Sequence, residues 1–117
     1  MTTSAAQAEA FYEEALTHGS VWTIRDSNGF PAPEGSEGRA MPFWSLESRA
    51  GRVVASVPAY DGFEVVSIAL HEWRSRWLPG LRRDGLRAGL NWSGQSATGY
   101  DVEADAVEAN LAAREQV

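Results

Sequence analysis

Apolar positions in the first twenty residues recur at helical spacing. Ala8, Phe11, Tyr12, Ala15 and Leu16 follow the i, i+3, i+4, i+7, i+8 pattern of one buried helix face. Ser4-Ala5-Ala6-Gln7 ahead of them reads as a capping box, and Gly19 behind them supplies the left-handed residue that ends a helix. Val21 to Asp26 is then β-branched and aromatic, and Asp26-Ser27-Asn28-Gly29 is a tight-turn sequence. A hairpin is predicted, with a second arm that Pro31 and Pro33 confine to a sheet edge or leave irregular. Residues 33–38 read as a surface loop and Arg39 to Trp44 as a return to the sheet. Ser45 is expected to cap a second helix with the stripe Leu46, Ala50, Val53, Val54 and Val57, which Pro58 ends.

The near-continuous apolar run from Phe63 to Ile68 predicts a central strand. A helix follows in which Leu70, Trp73 and Trp77 share the inward face, Arg76 faces solvent, and Pro79-Gly80 marks the end. Beyond the Asp84-Gly85 turn, Leu86, Ala88, Leu90 and Trp92 alternate with Arg87, Gly89 and Asn91, the period of a strand with one core face and one polar face. Gly99 to Val102 makes a last short strand, and Ala104 to Arg114 a closing helix with Ala104, Val107 and Leu111 inward. This succession predicts an α+β fold, a mainly antiparallel sheet of about five strands covered by about four helices, forming one domain over residues 1–117.

Composition supports a packed core. Apolar residues make up 44 % of the 117-residue chain and charged ones 22 %, and a chain of this length buries roughly 65 % of its unfolded surface. The absence of cysteine removes disulfides, thiol nucleophiles and thiolate metal sites, and suits a cytoplasmic protein. The first residues lack the basic and apolar regions of a signal peptide, and no apolar run approaches the ~20 residues that span a bilayer, so a soluble protein without membrane engagement is expected. A net charge of −6 argues against nucleic acid as a partner. Every basic residue is arginine. Arg74, Arg76, Arg82, Arg83 and Arg87 stand against only Glu72 and Asp84 between residues 71 and 92, so that segment carries +3 and the remainder −9.

Catalytic and metal patterns do not complete themselves. His71-Glu72-Trp73-Arg74-Ser75 has serine where a zinc-binding helix needs its second histidine, and His18 more naturally faces the negative end of the first helix. Gly94 and Gly99 have the spacing of a phosphate loop, but Tyr100 replaces the lysine that would reach the phosphates. The groups Glu13/Glu14, Glu34/Glu37 and Asp101/Glu103/Asp105 fall on predicted surfaces, with no pocket to tune one as an acid or base. No catalytic residue, metal or cofactor is assigned. The distinctive segment is Trp73 to Arg82, where tryptophans one turn apart alternate with arginines, followed by Trp92. The candidate contact residues are therefore Trp73, Trp77, Arg82, Arg83, Arg87, Asn91 and Trp92.

Ser20-Val21-Trp22, Asp26-Ser27-Asn28-Gly29-Phe30, Pro42-Phe43-Trp44 and above all Trp77-Leu78-Pro79-Gly80-Leu81 through Asp84-Gly85 to Gly89-Leu90-Asn91-Trp92 form a pattern. It resembles the bacterial family catalogued as domain of unknown function 2750, over nearly the whole chain. Ala69 departs from it, standing where the helix start would favour a capping residue. The resemblance implies a small single-domain bacterial protein of α+β form with no assigned activity, and it brings no functional residue with it. By analogy of style, such proteins are like the acidic immunity and accessory proteins that neutralise toxins by binding.

Two expectations follow. The leading one is a non-enzymatic protein-binding domain of immunity type, or one that self-associates, with acidic surfaces such as Glu9/Glu13/Glu14 or Asp101/Glu103/Asp105 steering a basic partner. The alternative is a small-molecule-binding or enzymatic domain with an anion-attracting pocket near Arg82, Arg83, Arg87 and Trp92.

Overall fold

The computed structural model describes residues 3–35, 37–94 and 97–115. In chain order they form α1 (Thr3–His18), β1 (Ser20–Arg25), β2 (Glu34–Gly35), β3 (Gly38–Phe43), α2 (Glu47–Ser56) and, after a 3-10 turn at Pro58–Tyr60, β4 (Glu64–Ala69). A helix over residues 70–83, α3, leads to β5 (Arg87–Ser93), β6 (Thr98–Val102) and α4 (Ala104–Glu115). The fold is α+β, with four helices and mostly antiparallel strands, as the alternation of periods predicts.

The strands form a β1-β4 pair and a four-stranded β2-β3-β5-β6 sheet, in which only β3 and β5 run parallel. The two sheets are joined where Trp22 and Trp44 exchange both backbone hydrogen bonds, each at 2.7 Å. In an antiparallel ladder the next such exchange would pair Ile24 with Pro42, and Pro42 has no N–H to give. The ladder stops there. The Thr23 hydroxyl, fully buried, donates to the Pro42 carbonyl at 2.8 Å and satisfies it instead.

Both faces of the joined sheet are covered. On one, α1, α3 and α4 enclose Phe11, Phe43, Trp73, Leu90, Val107 and Leu111; on the other, α2 and the chain after it pack Val53, Val57 and Tyr60 onto Ile24, Trp44 and Trp92. The run at 63–68 becomes the outer strand β4 rather than a central one. Its apolar residues serve both layers, Val65 on the α2 side and Ile68 on the other, so continuous hydrophobicity here reflects two covered faces and not a central position.

The tryptophan helix also departs from expectation. Pro79-Gly80 does not end it; α3 continues to Arg83 through a π segment, Trp73–Trp77, immediately before Pro79. Proline lacks the amide that would bond one turn back and its ring crowds that carbonyl, and a widened turn relieves both problems. The extra residue per turn makes Leu78, whose N–H bonds to the Trp73 carbonyl, the next inward position. The buried stripe is thus Leu70, Trp73, Leu78 and Leu81, while Trp77 is half-buried at its edge and Arg76 is exposed. The end of α3 is a Schellman cap, with Leu86 N–H on the Leu81 carbonyl at 2.9 Å and Gly85 N–H on Arg82 at 3.2 Å, around a left-handed Gly85. At its start Ala69 offers no cap, and the Gly19 carbonyl accepts the Leu70 amide at 2.9 Å.

Three local expectations have separate outcomes. Asp26 and Gly29 close a tight turn, but the chain then leaves without a second strand, and Phe30 meets Trp77 edge-on at 5.1 Å. Ser45 does not cap α2; Leu46 occupies that position without a side-chain hydrogen bond, because the Ser45 hydroxyl is engaged by α1 and β5. The side chain of Ser4, on which the capping box depends, lies outside the described residues.

Candidate functional site: the groove between α2 and β5

The alternation along β5 fails at Asn91. Its φ of 53° is left-handed, the register against β6 shifts between Leu90 and Ser93, and a bulge results. One displaced residue reverses every later side chain. Leu90 therefore points into the core under α1, whereas Trp92, expected on the same face, packs under α2.

Asn91 is 2 % exposed and every polar atom of its side chain is used. Its Oδ1 accepts the Ser45 amide at 3.0 Å, and its Nδ2 donates to the Ser45 hydroxyl at 3.0 Å and to the Gln7 carbonyl at 3.2 Å. The Ser45 hydroxyl donates its own hydrogen bond to Glu14 at 2.6 Å, and Arg49 grips both Glu14 oxygens at 3.0 Å. The Arg49 guanidinium, with help from Ser45, holds the Glu14 carboxyl below the usual carboxylate range despite partial burial. Trp44 Nε1 donates to the Trp92 carbonyl at 2.8 Å, locking the same joint from the other side. The network pins α1, the start of α2 and the bulge to one another.

Trp92 lies in a trough made of glycines. A Cβ on Gly89 would fall 2.3 Å from the indole and one on Gly99 2.8 Å from it. Its Nε1 donates to Asp101 at 2.8 Å. Burial raises the Asp101 pKa, a rise that this hydrogen bond opposes.

Above Trp92 runs a groove of about 310 Å³, walled by Arg49, Arg52, Val53 and Ser56 of α2 and floored by Asn91, Trp92 and Ser93. It is mainly apolar, with a few polar groups at its rim, the usual make-up of a ligand site. Asn91, at a φ of 53°, and Gly94, at 84°, both border it in the left-handed region. Held conformations of that kind concentrate at binding and catalytic sites.

The arginines at large are differently occupied. Arg74 binds Glu108 and Glu115, Arg82 meets Asp105, Arg87 lies between Glu37 and Glu103, Arg25 pairs with Glu64 and Arg114 with Glu9. The basic segment of the sequence is thereby neutralised in space, largely by α4. Arg52 and Arg76 alone make no side-chain hydrogen bond or ion pair among the described residues. Each borders a recess built on a tryptophan: Arg52 the groove at Trp92, and Arg76 a recess of about 270 Å³ formed by Met41, Trp77, Leu81 and Leu86.

A family model described as a protein of unknown function, DUF2750, matches residues 8–111. The chain belongs to the DUF2750 family. No curated protein matches the chain.

Within this DUF2750 domain the seven residues expected to make contacts do not form one site. Trp73 is a core residue, 0 % exposed, against Phe11 and Phe43, and its Nε1 has no partner among the described residues. Trp77 borders the second recess. Arg82 and Arg83 are exposed on the last turn of α3, and Arg87 is held by two carboxylates. Asn91 and Trp92 border the groove, on the opposite side of the sheet from α3. Of the residues expected around one pocket, Trp92 borders this groove while Arg82, Arg83 and Arg87 do not; the arginines that border it are Arg49 and Arg52. The acidic groups expected to steer a partner are also partly engaged: Glu9, Glu14, Glu103 and Asp105 by arginine, Asp101 by Trp92. No helix among the described residues is long and apolar enough to cross a membrane, and none of their His, Asp or Glu side chains gather in threes as a metal site would need.

Proposed function

We propose that this DUF2750 domain is a non-enzymatic binding module whose recognition site is the groove between α2 and β5. The observation that carries the reading is Arg52, a guanidinium without a polar partner among the described residues, at the rim of a groove floored by Trp92. A cation left uncommitted in a chain with sixteen carboxylates is poised for something outside the fold. The bulge at Asn91 supports the same reading, since its hydrogen bonds hold the floor in shape before any ligand arrives. The cysteine-free composition fits a reducing compartment, and the proposal sets the module in a bacterial cytoplasm.

A second reading, a protein-contact surface of the immunity type, is favoured by the other recess. There the π turn brings half-buried Trp77 beside Met41, Leu86 and the second uncommitted arginine, Arg76.

A thermal-shift screen of small molecules separates the two. Ligands of the groove raise the unfolding temperature of the wild type by mass action and do nothing for Ser56→Trp, which fills the groove from an exposed position on α2. Stabilisers whose effect survives Ser56→Trp but is lost in Trp77→Ala would move the recognition site to the second recess.

A further inference from the structure

We infer that the groove takes a small organic anion, a carboxylate carried on an aromatic or apolar body, with Arg52 as its counter-ion. The inference rests on the binding-module reading and names its ligand. Acidic residues outnumber basic ones by 16 to 10, yet the groove wall holds two arginines and, among the described residues, no carboxylate. Glu14 offsets the charge of Arg49 from behind the wall, by a bidentate pair. Arg52 is left as the net positive charge on the groove, and a cleft of one sign with apolar walls focuses the field on its opening.

The serine hydroxyls at the groove are engaged within the fold. Ser56 Oγ donates back to the Arg52 carbonyl at 2.7 Å and is spent. Ser93 Oγ is met by the Gln7 side chain of α1. The Arg52 guanidinium thus borders the groove with no carboxylate beside it among the described residues, while Val53 and Trp92 supply the apolar contact. The volume is at the lower end of the ~300–1,000 Å³ of ligand pockets, suited to one ring and its acid group.

Benzoate and its neutral isostere benzamide test this, titrated into the ¹⁵N-labelled chain. Benzoate is expected to shift the Trp92 indole N–H and the Ser93 and Gly94 amides. Its affinity should fall about tenfold or more in Arg52→Gln, on the usual worth of a charge-assisted hydrogen bond, and stay unchanged in Arg76→Gln. Both arginines are exposed, so both variants keep the fold. If benzamide binds the groove as well as benzoate does, or if Arg52→Gln leaves benzoate affinity intact, the anion inference is overturned and the groove stands as a binding site. If neither compound perturbs those signals, the anion inference and the groove reading are both overturned.

Discussion

Trp92 lies so close over Gly89 that no side chain fits between them: a Cβ at residue 89 would be 2.3 Å from the indole. Gly89→Ala must therefore displace the groove floor, at a cost of about 1–3 kcal/mol or more from overpacking. Gly51, on α2, has nothing within 4 Å of the same position, so Gly51→Ala should instead stabilise by about 0.5–1 kcal/mol through helix propensity. Urea denaturation of the two variants checks the contrast. Equal effects would mean that the Trp92 contact is soft.

Asn91→Ala should cost about 2–4 kcal/mol. It removes the partners of the buried Ser45 amide and the Gln7 carbonyl, and places alanine at a φ of 53°. Asn91→Gly keeps the first loss but not the second, and should recover roughly 1 kcal/mol of it. The ordering glycine above alanine, measured at equilibrium, distinguishes backbone strain from hydrogen bonding.

The π turn makes Trp73 and Trp77 unequal. Trp73→Ala is expected to cost roughly 3–5 kcal/mol by opening a cavity among Phe11 and Phe43, whereas Trp77→Ala, at the half-buried edge, should cost about 1–3. Arg76→Ala should change stability by less than about 0.5 kcal/mol. A Trp77 loss as large as that of Trp73 would contradict the shifted stripe.

Two carboxylates should give opposite pH signatures. The folded pKa of Glu14 lies below its unfolded value of 4.5, so its contribution is complete above pH 4.5 and is lost as pH falls through the folded value. Glu14→Gln should lower stability near neutrality by about 1–3 kcal/mol, with the deficit shrinking in acid. The folded pKa of Asp101 is raised above 3.8, so protonation between the two values favours the folded state. Asp101→Asn, which keeps an acceptor for Trp92 Nε1, should remove that acid-side gain. Chemical denaturation between pH 3 and pH 7 reads both slopes.

Helices α1 and α4 were legible because their buried positions, Phe11 with Ala15 and Val107 with Leu111, hold a strict helical period. Irregularities of one residue were not. A bulge at Asn91 and a widened turn before Pro79 leave the apolar count unchanged while rotating Trp92 and Trp77 out of the stripes that periodicity assigns. Pairing across long separations is equally silent: nothing near Arg74 or Arg87 announces that α4 and the surrounding loops will neutralise them. Arg49 and Arg52 lie off the apolar stripe of α2, and their place on the groove depends on which strand α2 covers. The one local signal of the groove was a tryptophan flanked by Gly89 and Gly99, small residues that make room for a large one.

The most direct test is a chemical-shift map of the ¹⁵N-labelled chain against a collection of small-molecule fragments, recorded for the wild type and for Ser56→Trp. Binding at the groove predicts that perturbations converge on the Trp92 indole, Val53, Ser93 and Gly94, and disappear when Ser56→Trp occupies that space. Perturbations centred on Trp77, Met41 and Leu86, or scattered without a shared centre, would contradict it.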